Sequence, residues 1–248
     1  MPAARQLTPH KAGIEDGNRG DMKVTLPDLF KLKPYYEDQW VKLYHADCYA
    51  VNLPTCDLLL TDPPYELCAT GGGIGAKRKY LADIDGEMDD GFDMEMLTDF
   101  PNWAVFCGKS QLQRLLAATG SRRWALVTWN KTNPTPLVNA NYLPDTEYIV
   151  HAFQSGRLFG EYSDRSRFIV HPVEKNGFDH PTVKPLSVVS KMVRLGCQPM
   201  ETILDPFCGT GTTLVAAKMS GRRAIGIERE RKHCETAANR CAQDYLEL

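Results

Sequence analysis

The sequence predicts an α/β fold built on a mostly parallel, twisted sheet with helices on both faces. Short apolar runs of strand length alternate with longer stretches of helical period, and the loops between them are short. The last fifty residues pack strand, Gly-rich turn, helix and strand into one βαβ unit. The 248 residues suffice for a large single domain, and 43% hydrophobic with 24% charged residues is ordinary for a soluble globular protein.

Residues 1–38 mix Pro, Gly and charge without periodicity and are expected to form a mobile arm or loosely docked extension ahead of a single domain over 39–248. The arm has no apolar core, so it is not read as a secretory signal. No run approaches the roughly 18 apolar residues of a membrane-spanning helix, so no membrane partner and a cytoplasmic chain are expected. The first strand is expected around Val41 to His45 in "QWVKLYHADC", and the next in "CDLLLT". Residues 71–93, rich in Gly and in both charges, are expected as a long, mobile, functional loop. Its acidic half lacks the glycine offset and closing Glu of a calcium loop.

Downstream, "WAVFCG" reads as a strand, "KSQLQRLLAATG" as a helix stopped by Gly120, and "WALVTWN" and "TEYIVHAF" as strands. Residues 154–179 show no clear period and carry four basic side chains. "TVKPLSVVSKMVRLGC" enters an amphipathic helix. The chain then runs through strand "TILD", loop "PFCGTG", helix "TTLVAAKMSG", strand "RRAIGIE" and a final helix from "RKHCETAANRCAQDYL".

The eight cysteines contain no C-x-x-C pair and no zinc-ligand spacing, so they read as reduced, mostly buried thiols, with no metal site. The net charge of −2 excludes a protein held on nucleic acid by overall charge alone, so any DNA contact must come from local patches. The candidates are Lys77, Arg78 and Lys79, the pair Arg122 and Arg123, and the group Arg157, Arg165 and Arg167.

In "ILDPFCGTGTTLVAA…AIGIERE" a strand ends at Asp205, Gly209 and Gly211 permit a tight turn, and Thr212 opens a helix. The following strand ends at Glu228, at the spacing where an acid hydrogen-bonds ribose hydroxyls in dinucleotide-binding units. No Lys-Ser/Thr follows the glycines, so the turn is not a P-loop. Leu214 stands where a third glycine would fall, which weakens a pyrophosphate ligand and favours a nucleoside without phosphates, such as S-adenosylmethionine.

"LLLTDPPYEL" drives an apolar strand into a carboxylate, two prolines and an aromatic ring. Asp62 at the carboxyl end of a parallel strand lies where α/β ligands bind. Pro63 and Pro64 stiffen the backbone and offer carbonyls but no N–H. Tyr65 adds a stacking face. Two acceptors beside a flat ring suit a planar base bearing an exocyclic NH2, and a base enzyme reaches such a group by extruding it from the duplex.

Together, "TDPPY", "HPTVKP" and "DPFCGTGTT" resemble the S-adenosylmethionine-dependent DNA amino-methyltransferases, and more narrowly the permuted beta class, in which the catalytic motif precedes the cofactor motif. The resemblance spans about residues 41–240 and implies a Rossmann-like methyltransferase fold. It implies that Asp62 and the Pro63 carbonyl hold the target amine, with Pro64 and Tyr65 completing the catalytic motif. It implies a pocket for S-adenosylmethionine from Phe207, Gly209, Gly211 and Thr212, with Asp205, Thr182 and Lys184 near the methionine end. Glu228 takes the ribose hydroxyls, and Asp47 and Cys48 lie at the adenine ring. His180 is expected to be structural.

The region between "HAF" and "HPTVKP", about 154–179, is short for a target-recognition region. Discrimination is therefore assigned to Arg157, Arg165 and Arg167, to loop 71–93, or to a second subunit in a homodimer. An Asp-led motif leans toward the N6 amine of adenine in double-stranded DNA, with N4 of cytosine as the alternative and a non-catalytic DNA-binding decoy as the rival class. The absence of any Pro-Cys excludes carbon-5 cytosine chemistry. The chain carries no nuclease motif, so a restriction endonuclease partner would be a separate protein.

Overall fold

The computed structural model describes residues 26–64, 92–134, 142–174 and 183–243. Most of the expected N-terminal arm and nearly all of the loop at 71–93 lie outside that set, as do Tyr65, Lys77, Arg78, Lys79, His180 and Thr182.

Nine strands make one sheet: β1 (Tyr36–Glu37), β2 (Val41–His45), β3 (Leu58–Thr61), β4 (Trp103–Cys107), β5 (Arg123–Asn130), β6 (Thr146–Phe153), β7 (Phe168–Val170), β8 (Thr202–Asp205) and β9 (Arg223–Glu228). Their order is β1-β2-β9-β8-β3-β4-β6-β5-β7. The run from β2 to β4 is parallel throughout, while β6 lies antiparallel to both β4 and β5. The four described α-helices are α1 (Lys109–Ala118), α2 (Leu186–Gly196), α3 (Thr212–Met219) and α4 (Arg231–Cys241).

The central strands β3, β4, β8 and β9 are apolar nearly throughout because both faces are covered. Side chains alternate between the faces. Leu58 and Leu60 join Phe106, Trp129 and Ile149 in a core with α2, α3 and α4. Leu59 joins Trp103, Val105 and Val150 in a second core closed by Leu115 of α1 and by Met96 and Leu97 of a short 3-10 turn. Six of the seven described cysteines are buried free thiols, and Cys56 is half-buried.

Most expected elements stand where the periodicity put them. β1 and β7 are exceptions: β1 pairs with β2 inside the expected arm, where Leu29 is also buried, and β7 is a three-residue edge strand inside the stretch that shows no period. The reversed direction of β6 is a third. Reversal carries Phe153 to the amino edge of the parallel strands, so residues 154–167 begin there, and β7 climbs back beside β5.

The Gly-rich turn solves a packing problem differently from a dinucleotide fingerprint. Leu214 occupies the place of a third glycine, and the space comes instead from Gly226 on β9, where an added Cβ would meet Leu214 Cδ1 at 2.7 Å and Cys208 Sγ at 2.9 Å. Gly211 caps α3 at φ +82°, and a Cβ there would lie 2.8 Å from Ala237 Cβ and 3.1 Å from its Cα on α4. Strain and clash add at this position, so Gly211→Ala is expected to cost about 2–4 kcal/mol of stability, measured by urea denaturation.

Candidate active site at the carboxyl edge of the sheet

β3 and β8 are parallel neighbours, so Asp62 and Asp205 leave the sheet side by side. Asp205 is fully buried and accepts from Thr61 Oγ1 at 2.7 Å and from the backbone N–H of Phe207 at 3.1 Å. These bonds tie the loop after β3 to the loop after β8. Burial pushes the Asp205 carboxyl up to about 7, against the hydrogen bonds from Thr61, Thr213 and Phe207 that favour its charge.

Asp62 keeps 29% of its side chain exposed, with Lys184 Nζ 2.6 Å from Oδ2. Lys184 is only 7% exposed, and its Nζ also lies 3.3 Å from Glu147 Oε2. The ammonium of Lys184, expected along the methionine end, sits between two carboxylates, one of them Asp62. The backbone after Asp62 is held from behind, where the buried Gln111 of α1 donates from Nε2 to the Pro64 carbonyl at 3.0 Å. Pro63 is buried and Pro64 exposed.

At the other end of the edge, Glu228 accepts from the N–H of Gly209 at 2.9 Å and of Glu230 at 2.6 Å. Burial pushes this carboxyl up, but His233 and the two backbone donors outweigh it and hold it below its ordinary value. The ring of Phe207 packs edge-on against Tyr49 at 5.9 Å and Phe92 at 5.7 Å, forming an aromatic wall. Gly209 has φ +51° and nothing within 4 Å of an added Cβ, so the turn leaves open space at this point.

The other expected cofactor residues make contacts within the protein. Cys48 turns into the core, where burial pushes its thiol up, and Asp47 spends its carboxylate capping the next turn, accepting from Tyr49 N–H at 2.9 Å. Thr212 faces α4, where the buried Arg240 donates to Thr212 Oγ1 at 3.1 Å and to the Thr210 carbonyl at 2.8 Å. The turn is thus braced from outside by an arginine that the sequence reading missed. Gln111 and Glu147 were missed too, because a lone Gln in a helix and a Glu in a strand carry no motif.

Of the basic side chains proposed for DNA, Arg157 and Arg165 are not at this edge. Arg157 pairs with Glu201 through Nη1–Oε1 at 2.7 Å and Nη2–Oε2 at 2.9 Å, just ahead of β8 at the amino edge. Arg165 borders a shallow cavity of about 540 Å³ with Arg122, Arg123 and Trp124, also at the amino edge. Arg122 is further engaged with the carbonyls of Thr98 and Phe100. Arg167 is exposed, and its carbonyl begins the pairing of β7 with β5. The reversal of β6 puts Arg157, Arg165 and the Arg122–Arg123 pair opposite Asp62, so they do not line the same site.

The parallel sheet, the Gly-turn with its acid at Glu228 and the stiffened carboxylate at Asp62 define an α/β enzyme with its site across the carboxyl ends of β3, β8 and β9. The profile of the DNA methylase family of N6 and N4 methyltransferases matches residues 56–239. The chain belongs to that family, and it is a DNA methyltransferase with S-adenosylmethionine as its cofactor. It is 29% identical to the type II methyltransferase M2.DpnII of Streptococcus pneumoniae, over 84% of this chain and 92% of that one. The fold is similar to the crystal structure of the M1.HpyAVI–SAM complex, with TM-score 0.60 and 23% identity over 81% of this chain and 99% of that one. It is also similar to the cytosine-N4-specific PvuII DNA methyltransferase, with TM-score 0.64 and 14% identity over 86% and 90%.

Gln111→Leu removes the donor to the Pro64 carbonyl while keeping bulk. It is expected to cost about 1–3 kcal/mol in denaturation and to lower kcat more than it changes the KM for S-adenosylmethionine.

Proposed function

We propose that this enzyme methylates the N6 amine of adenine in double-stranded DNA, with the base turned out of the helix and presented to Asp62. The observation that carries this reading is the half-open carboxylate at the end of β3, on the edge shared with the Gly209 turn and Glu228. The Asp-led motif resembles that of adenine enzymes, and the beta-class motif order agrees.

The residues present suit S-adenosylmethionine. Glu228 offers a buried carboxylate for ribose hydroxyls, Phe207 with Tyr49 and Phe92 offers an apolar wall, and Gly209 leaves room for close approach. When bound, the cofactor supplies an electrophilic methyl group on a sulfonium, which departs as a neutral thioether. The chain's own part is to hold and orient. Asp62 accepts an N–H of the exocyclic amine, and the carbonyls of the proline pair, steadied by Gln111, offer the other acceptor. Fixing the nitrogen this way directs its lone pair and supplies the proximity on which such transfers depend.

Partners follow from the same reading. Trp124, Phe168 and Val170 are 51%, 62% and 58% exposed on one face of the β5–β7 edge, which supports a homodimer through that face. The type II name of the pneumococcal relative supports a separate restriction endonuclease. Among the described residues no helix is long and apolar enough to cross a membrane, and an enzyme acting on DNA is placed in the cytoplasm.

Nucleoside mass spectrometry on unmethylated duplex DNA incubated with enzyme and cofactor is expected to show N6-methyl-2′-deoxyadenosine, absent with Asp62→Ala. N4-methylcytosine instead would reassign the base, and no methylated nucleoside would favour the decoy. A second expectation concerns pH. Asp205 has a folded value near 7 against an ordinary 3.8, so its contribution to apo stability is present at low pH and is lost as pH rises toward 7. If the cofactor's ammonium lies near Asp205, binding favours the carboxylate. The Kd for S-adenosylmethionine should then rise as pH falls below about 7, with proton release visible by calorimetry in buffers of different ionisation enthalpy, and Asp205→Asn should abolish that release.

A further inference from the structure

Behind Asp62 the charges continue inward in alternating sign. Lys184 Nζ lies 2.6 Å from Asp62 Oδ2 and 3.3 Å from Glu147 Oε2, and Lys131 Nζ lies 2.6 Å from Glu147 Oε1. Each link comes from a different element: Asp62 follows β3, Lys184 precedes α2, Glu147 lies in β6 and Lys131 follows β5. Glu147 reaches this edge only because β6 is antiparallel, which places the start of that strand beside the ends of its neighbours. Two aromatic rings floor the row, with Lys184 Nζ 5.7 Å from the Phe106 centroid and Lys131 Nζ 5.2 Å from that of Trp129.

We propose that Glu147 is a positioning residue for methyl transfer: as a second carboxylate on the Lys184 ammonium, it keeps that buried cation charged and in place, so that Asp62 stays an oriented carboxylate able to accept the substrate's N–H. This inference rests on the reading of Asp62 given above and extends it. A buried ammonium facing one carboxylate is held in its charged form less firmly than one facing two, and a neutral Lys184 would leave Asp62 without the cation that offsets its own partial burial. With Glu147 on its other side, the ammonium is divided between two acceptors. Lys131 then compensates the charge of Glu147, and the row of four sums to zero.

The protonation states agree with this arrangement. Burial pulls the Lys184 ammonium down, but Asp62 and Glu147 outweigh it and hold it above its ordinary value. Burial pushes the Glu147 carboxyl up, but Lys184 and Lys131 outweigh that and hold it below. Among the described residues, Cys107 at the end of β4 also faces Lys184, and burial pushes its thiol up to about 12 and leaves it neutral. Asp205 faces Asp62 from β8.

The test compares Glu147→Gln, Glu147→Asp and Lys131→Met. Glu147→Gln keeps shape and removes the charge. It is expected to lower kcat roughly tenfold or more, with the Kd for S-adenosylmethionine changed less than about twofold. Lys184 then loses one of the two carboxylates placed against it while the cost of its burial stays, so an alkaline loss of activity should appear over a range where the wild type stays flat. Glu147→Asp and Lys131→Met leave a carboxylate for Lys184 and should keep the flat profile, even where packing changes lower kcat. The Lys184 titration is read independently by NMR of ε-13C-lysine protein, with Lys184→Met for assignment.

Wild-type kcat and a flat profile in Glu147→Gln would overturn the proposal. So would the same alkaline loss in Lys131→Met, which would mark general disruption of the row. If Glu147→Gln does not fold, an alkaline limb in Glu147→Asp overturns the proposal and a flat one supports it. If the wild type methylates no DNA, the reading of Asp62 fails on that result. The NMR titration then still decides whether Glu147 governs the Lys184 ammonium, and an unchanged Lys184 titration in Glu147→Gln would overturn the charge argument.

Discussion

Keeping carboxylates charged at the nearly dry edge of a parallel sheet is the constraint around which this molecule is built. Transfer of an unpaired carboxylate from water into such surroundings costs several kcal/mol even after relaxation, so each acid here needs its own compensation. Asp205, Asp62 and Glu228 all end parallel strands and meet that cost in different ways. Asp205 is given hydrogen bonds from Thr61 and Phe207 but no cation, and its carboxyl shifts toward neutrality. Asp62 is given a buried ammonium. Glu228 is given two backbone N–H groups and a histidine.

These solutions also connect the loops that carry them. The Thr61–Asp205 bond joins the end of β3 to the turn after β8, so the proposed acceptor for the amine and the proposed cofactor turn are braced together. Glu228 holds Gly209 from the next strand, while Arg240 reaches from α4 to Thr210 and Thr212 at the back of the turn. Gly211 permits that close approach of α4, and Gly226 makes room for Leu214. The turn is therefore fixed on three sides, and its open side at Gly209 faces the site. Binding energy spent on a preorganised pocket of this kind goes to orientation rather than to ordering loops.

The direction of β6 governs the other half of the site. Its reversal delivers Glu147 to the catalytic edge and sends Arg157 and Arg165 to the far one, where Arg157 closes onto Glu201. A side chain's distance in sequence from the catalytic motif says nothing of this. Asp62 and Glu147 are 85 positions apart and share one ammonium, as 147 − 62 shows. Asp62 and Arg157, both associated with DNA in the sequence, stand at opposite edges.

The sequence by itself determined the elements and the chemistry of the edge. Apolar runs, helical period and the Gly-turn followed by an acid placed seven of the nine strands' neighbourhoods and the helices, because those signals are local and depend on backbone geometry and alternation. "TDPPY" was legible because rigid prolines beside a carboxylate have few structural uses. The tertiary structure alone decided strand direction, the edge on which each charge emerges, and the partners of Lys184, Gln111, Arg240 and Glu147. These are contacts between elements far apart in the chain, and residues of ordinary type acquire their roles only from what the sheet order sets against them.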